Sequence, residues 1–313
     1  MSVIDSPLVE LGRLLKAAKY QFVTITPASH ARLNARVAGK PARGVRDVLG
    51  WSRPFDSSVL PPKWFELLTA ANAVESHGGV FRSTVRYSSL GEDLFVHSAF
   101  PTLAADSVFF GPDTYRFARF IKAGLSGRRA AARTPTIVDV GAGSGAGGLF
   151  ARRLLGDDVP VVLSDISPKA LDFSRINAAL ADCKSCSFVL SDLFAALDGA
   201  DIILANPPYL LDPEKRVYRH GGGTLGFALA TRIVAEGLPK LRRGGTMLLY
   251  TGSVIVDGID GFLEAARPYL SGDGIEYTYE ELDPDVFGED LDNPAYGPAE
   301  RVAAIGLTVR RAP

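Results

Sequence analysis

The chain of 313 residues predicts an α/β fold: a doubly wound, mostly parallel seven-stranded sheet with a smaller N-terminal α+β region. Three observations carry this. From Thr136 onward, short apolar runs alternate with helical patterns, which is how a parallel sheet covered on both faces reads in sequence. The first run, Thr136-Ile137-Val138-Asp139-Val140, passes directly into Gly141-Ala142-Gly143-Ser144-Gly145, a glycine-rich turn at the head of a helix. Residues 1–105 lack that alternation, so the boundary between an N-terminal recognition region and the sheet is expected near residue 106.

In chain order, Val9 to Tyr20 has helical apolar spacing, and Thr24 to Arg43 reads as a loop or short helix. Pro61-Pro62 opens a helix whose apolar face is Trp64-Phe65, Leu67-Leu68 and Ala71, and Gly78-Gly79 ends it. Two alternating runs, Phe81 to Tyr87 and Leu94 to Ser98, form a hairpin through residues 88–93, an arrangement that resembles a winged-helix unit. Residues 106–126 are a joint. Val108 to Pro112 is a turn, Asp113 or Thr114 caps a helix running to about Leu125, and Ser126 to Thr134 is a small, basic loop. Strands are predicted at 136–140, 159–164, 186–190, 201–205, 245–251, 275–281 and 302–309. Helices are expected at Ala146 to Leu155, Lys169 to Ala181 and Phe227 to Glu236.

Hydrophobic residues make up 47% of the chain and charged residues 22%, the balance of a globular protein, and no run reaches transmembrane length. Without a basic-then-apolar leader pattern, a cytosolic protein with no membrane partner is expected. The net charge of −1 conceals an asymmetry. Arg13 to Lys63 holds ten Lys/Arg against Asp47 and Asp56, whereas Ser271 to Glu300 holds ten acids and no Lys/Arg. Such a basic segment fits a polyanion such as nucleic acid, or is one of two solvated faces that partly neutralise each other. Cys183 and Cys186 offer only two ligands in CxxC spacing, and the four histidines are scattered, so no metal site is expected and the cysteines read as packed thiols.

The chemistry concentrates at strand ends. Gly141, Ala142, Gly143 and Gly145 let a ligand approach the backbone, and Gly141-x-Gly143 with Ala146 even meets the dinucleotide template. Asp139, two residues before the first glycine, suits a cationic ligand such as the methionyl amine of S-adenosylmethionine better than a pyrophosphate. Asp165, followed by Ile166, ends the next strand and can accept ribose hydroxyl hydrogens, a role that nicotinamide cofactors share. Asp192 after the third strand can accept from an adenine amino group, with Leu193 packing on the ring. After the fourth strand, Asn206-Pro207-Pro208-Tyr209 forms a stiff lip. There the Asn206 oxygen and the Pro207 carbonyl can take both hydrogens of a planar amino group while Tyr209 stacks on its face.

Together, residues 138–145, Asp165, Ser191-Asp192-Leu193-Phe194 and Asn206-Pro207-Pro208-Tyr209 resemble the ordered motifs of class I S-adenosylmethionine-dependent methyltransferases of the amino-methylating branch. Within it, the chain is most similar to the HemK-type protein-(glutamine-N5) methyltransferases. Gly221 to Gly226 resembles that family's Gly-Gly-x-x-Gly-Leu region, and Phe109 to Thr114 its Pro-x-Thr segment. The resemblance covers about 109–310 and implies S-adenosylmethionine as cofactor and a macromolecular acceptor, protein or nucleic acid. Gly111-Pro112 stands where the family has Arg-Pro, Tyr115 replaces its Glu, and the N-terminal region differs from the family's helical bundle. Adenine-N6 or guanine-N2 methylation of RNA or DNA, methylation of a small molecule, a nicotinamide-dependent oxidoreductase and a catalytically silent binding protein therefore stay open at the level of sequence.

Overall fold

The computed structural model describes residues 6–38, 40–126 and 134–313. Most of the basic loop expected over Ser126 to Thr134 lies outside them. The N-terminal region opens with α1 (Pro7–Ala17), α2 (Pro27–Arg36), α3 (Val45–Leu49) and α4 (Pro62–Ala70). Proline stands in the first turn of α1, α2 and α4, where its missing N–H costs no helical bond. The segment Thr24 to Arg43 is thus more helical than its Pro, Ala and Gly content implies. The Thr26 hydroxyl caps α2 by accepting from the Ser29 N–H at 3.2 Å.

Strands β1 (Val74–His77) and β2 (Val80–Ser83) form one hairpin, and β3 (Val85–Leu90) and β4 (Asp93–Ser98) a second. The hairpin expected from the two alternating runs is β3–β4; the start of the first run, Phe81 to Ser83, instead belongs to the additional hairpin with β1. Gly78 and Gly79, both at positive φ, turn the first hairpin instead of ending a helix. The alternating run from Phe81 is broken at Thr84, where the Ser83 hydroxyl donates to the Val85 carbonyl and accepts from its N–H.

Helix α5 (Pro112–Leu125) leads into the sheet. Its N-cap residue is Gly111, whose N–H donates to the Thr114 hydroxyl at 3.2 Å; Asp113 does not cap but turns inward. Then follow β5 (Ile137–Val140), α6 (Ala146–Leu155), β6 (Val161–Asp165), α7 (Pro168–Leu180), β7 (Cys186–Leu190), β8 (Ala200–Ala205) and α8 (Ala228–Lys240). The chain closes with β9 (Leu241–Val256), β10 (Ile259–Asp260), α9 (Gly261–Leu270), β11 (Ile275–Asp283) and β12 (Arg301–Arg311). The sheet order is β11-β12-β9-β8-β5-β6-β7, parallel except for β12, with β10 attached to β9. Every predicted strand of the sheet is present. Register sets the site. Val140 lies level with Ser164 and with Ala205, and Asp165 with Leu190, so the carboxyl ends of four strands open at one height.

The two cysteines are not free thiols as expected but a disulfide. Asp182, at positive φ, turns the chain after α7 and brings the two Cα atoms to 5.9 Å, inside the range that a disulfide spans. Among the described residues, no helix is long and apolar enough to cross a membrane, and no cluster of three or more side chains could hold a metal.

One core runs from the N-terminal region into the sheet layer. Ala170, Phe173 and Leu180 of α7 pack with Leu8, Leu11, Val48, Leu68 and Tyr87. Asn177 of α7 is fully buried. Its amide donates to the Val96 carbonyl of β4 and to the Ser144 carbonyl of the glycine turn, both at 2.9 Å, and its oxygen accepts from the Val96 N–H at 2.7 Å. A single side chain therefore locks the second hairpin to the turn that lines the site.

Two buried histidines sit above this joint. The His30 Nε2–H donates to the Trp51 carbonyl at 2.9 Å while Nδ1 faces the buried Arg86 guanidinium at 3.3 Å. His97 Nδ1–H donates to the Ser98 carbonyl, and Nε2 meets the Ser88 hydroxyl at 2.7 Å. Burial first, and then Arg86, hold His30 neutral, pushed down to about 4; burial pushes His97 down as well. A base depressed on folding contributes stability above its unfolded pKa near 6.5 and loses it as pH falls toward the folded value, by about 1.4 kcal/mol per unit. Asp139 works in the opposite sense, because burial raises it to about 7. The histidine effect is thus read by difference: the stability margin of the parent over His30→Gln should shrink by roughly 2 kcal/mol between pH 7.5 and 5.0. Urea unfolding at the two pH values measures it, and an unchanged margin would refute the assignment.

Candidate active site

A cavity of about 440 Å³ opens at the carboxyl ends of β5, β6, β7 and β8, the place where doubly wound sheets bind ligands. Its wall brings together Asp139, Gly141, Ala142, Gly143, Asp165, Ile166, Asp192, Leu193, Asn206, Pro207, Pro208 and Tyr209. Of the sequence-predicted site residues only Gly145 lies off the wall. At positive φ it starts α6, and a Cβ there would stand 3.1 Å from Leu163 and 3.2 Å from Ser174. It seats the helix beneath the cavity.

Each carboxylate has a distinct setting. Asp139 is buried and accepts from the Gly148 N–H at 2.7 Å. Burial pushes its carboxyl up to about 7, against that hydrogen bond, and the nearby Asp165 adds to the rise. Asp165 accepts from the Gly143 N–H at 2.9 Å and the Ser167 N–H at 2.8 Å, so it fixes the glycine turn and the entry to α7 together. Burial raises its carboxyl too. Asp192 is the exposed one, and Arg232 of α8 reaches its carboxylate at 3.4 Å.

The lip is held from behind. Asn206 is half-buried at the end of β8, and among the described residues nothing hydrogen-bonds its carboxamide. The Tyr209 hydroxyl donates to Asp113 at 2.7 Å, and the Tyr250 hydroxyl donates to the other oxygen of that carboxylate at 2.8 Å. Arg116 adds a contact to Asp113 at 3.2 Å. Burial pushes the Asp113 carboxyl up while the two phenols and Arg116 pull it back. The Tyr209 ring lies on Gly252 of β9, where a Cβ would stand 2.1 Å from the ring. Gly221 also packs on the lip: a Cβ there would stand 1.8 Å from the Gly226 carbonyl oxygen and 2.7 Å from the Tyr209 Cα.

Between β8 and α8 the chain forms a strap along the mouth, joined to itself where Leu210 meets His220. It is tied on two sides. The Tyr218 hydroxyl donates to the Thr102 carbonyl at 2.5 Å, and its ring stands nearly parallel to Phe109, centroids 6.2 Å apart. Arg219 pairs with Asp290 in the acidic segment. Asp113, Arg232, Tyr218 and Phe287 line the cavity without having been singled out. Asp113 had a legible signal, since it stands inside the Pro112-Asp113-Thr114 segment; the others come from loops and a helix whose spacing says nothing of the mouth.

Comparison with known proteins agrees with this architecture. The family model described as the methyltransferase small domain matches residues 128–255. A release factor glutamine methyltransferase of Cereibacter sphaeroides is 31% identical over 268 residues, 76% of this chain and 88% of that protein. One of Deinococcus radiodurans is 36% identical over 129 residues, 37% of this chain and 45% of that protein. Among solved structures, Trm5b from Pyrococcus abyssi superposes with a TM-score of 0.50 at 15% identity, covering 76% of this chain and 62% of that one, a likeness of fold.

Proposed function

The chain belongs to the family of the release factor glutamine methyltransferases, and from that membership we propose that it methylates the side-chain nitrogen of a protein glutamine with S-adenosylmethionine as donor. The observation that carries this reading is the unpartnered Asn206 carboxamide on a stiffened lip, level with Asp165 at the end of β6 and sharing the cavity wall with Asp139 of β5.

The residues fit the cofactor. Gly141 and Gly143, at positive φ, leave the wall open to a close ligand, and three carboxylates are spaced along it. In this reading Asp139 faces the methionyl ammonium. A carboxyl raised to about 7 by burial regains its charge when a cation arrives. Asp165 takes the ribose hydroxyls, with Ile166 at the edge; Asp192 takes the adenine amino group, with Leu193 against the ring. The bound cofactor supplies an activated methyl group.

An amide nitrogen is a poor nucleophile because its lone pair is shared with the carbonyl. Asn206 Oδ1 and the Pro207 carbonyl each accept one N–H, which returns density to nitrogen and aims the lone pair. Tyr209 bounds the slot for the planar amide, held in place by Asp113 and Gly252. Such alignment is worth up to about 7–11 kcal/mol of the barrier. The nitrogen loses one proton once the new bond forms; that proton is acidic enough to pass to water, so the site requires no histidine base.

The test is transfer of a labelled methyl group to a release factor, followed by peptide mass spectrometry. One methyl group on a glutamine is expected. Label that disappears with RNase or DNase instead of protease would replace the protein acceptor with a nucleic acid base.

A further inference from the structure

We infer that Ser191 is a positioning residue for the adenine end of the cofactor: its hydroxyl holds Leu193 in a left-handed backbone conformation, and that conformation aims the Asp192 carboxylate into the cavity. The inference rests on the reading in which Asp192 takes the adenine amino group and Leu193 meets the ring. It starts from a backbone outlier. Leu193 has a φ of 46°, in the region that favours glycine and that a leucine rarely enters. Bulky residues stay there only when their surroundings over-determine them, and such positions gather at ligand sites. Ser191, Asp192 and Leu193 all line the cavity.

The turn is anchored at both ends. The Ser191 N–H donates to the Asp165 carbonyl at 3.1 Å, which ties the serine to the end of β6. Its hydroxyl donates to the Leu193 carbonyl at 3.1 Å and accepts from the Ala196 N–H at 3.0 Å, closing the turn across Leu193. The Ala195 N–H donates to the Asp192 carbonyl at 3.1 Å. Beyond Leu193, Phe194 is buried in the core beside α8, where a Cβ on Gly237 would stand 2.7 Å from its ring. The left-handed kink joins these two anchors with Asp192 and Leu193 both on the cavity wall. Arg232 cannot supply this aim. It reaches Asp192 at 3.4 Å, but the two side chains are 49% and 55% exposed, and an ion pair so open to water holds little.

Isothermal titration with S-adenosylhomocysteine and with S-inosylhomocysteine tests this on the full chain, because the second ligand carries a carbonyl where adenine carries its amino group. The parent should bind the adenine ligand at least about tenfold more tightly, since a carboxylate facing a carbonyl leaves both without a donor. In Ser191→Ala the adenine ligand should weaken about tenfold, and its preference over the inosine ligand should fall to about threefold or less. Asparagine accepts the left-handed conformation that leucine resists, so Leu193→Asn removes the need for the serine. Adding Ser191→Ala to Leu193→Asn should therefore change the preference by less than about twofold. Equal weakening of both ligands in Ser191→Ala, the result expected of a serine that only caps the turn, would overturn the inference. So would a full loss of preference when Ser191→Ala is added to Leu193→Asn. A parent that binds both ligands equally would overturn the assignment of Asp192 to the adenine amino group, and the inference with it.

Discussion

Asn206→Ala is expected to lower turnover by about two to three orders of magnitude while affinity for S-adenosylhomocysteine stays within a few fold. The side chain has no protein partner among the described residues, so its removal costs the fold little. Its loss leaves one N–H of the acceptor amide without an oxygen to orient it, and the backbone carbonyl of Pro207 alone cannot fix the plane of the nitrogen. Isothermal titration and single-turnover methyl transfer separate the two quantities. Weakened cofactor binding with normal single-turnover rate would move Asn206 from the reaction to the cofactor. Asn206→Asp keeps an oxygen in place and should retain more activity than alanine.

Gly252→Ala should be nearly as severe although Gly252 does not line the cavity. A methyl group there would stand 2.1 Å from the Tyr209 ring, and the hydroxyl of that ring is pinned to Asp113. The ring must tilt by more than an ångström, or the Asp113 bond must break. Displacement of that order costs about a hundredfold in rate when alignment is the source of catalysis, and overpacking costs about 1–3 kcal/mol of stability. Steady-state kinetics should show the loss in kcat, and denaturant unfolding should show the smaller folding defect. Unchanged kcat would mean that Tyr209 is only a wall.

The sheet was legible in the sequence because parallel strands buried on both faces must be continuous apolar runs, and each ends at a polar residue on the open side. Val138 to Gly145, Asp165, Asp192 and Asn206 all announce themselves that way. The glycines at 221 and 252 carry a reason that only packing reveals: Gly252 leaves room for the Tyr209 ring, and Gly221 for the Gly226 carbonyl and the Tyr209 backbone. Asp113 was legible as a polar residue at a helix start but not as a buried carboxylate. Helix caps and inward-turned acids share the same local pattern, and distant Tyr209 and Tyr250 decide between them. The N-terminal region was read least well. Its strands are short and its run from Phe81 hides a turn at Thr84, set by a serine hydroxyl and not by glycine or proline.

Asn177 has a consequence for how such a protein can change over time. One amide joins β4 to the Ser144 carbonyl of the glycine turn, and Phe173 and Leu180 of the same helix complete the N-terminal core. A foreign recognition module grafted onto this sheet would leave α7 with a bare apolar flank and an orphaned carboxamide. Changes in exposed loops and charges would leave this seam untouched, whereas a truncated chain starting at α5 should be recovered only from inclusion bodies.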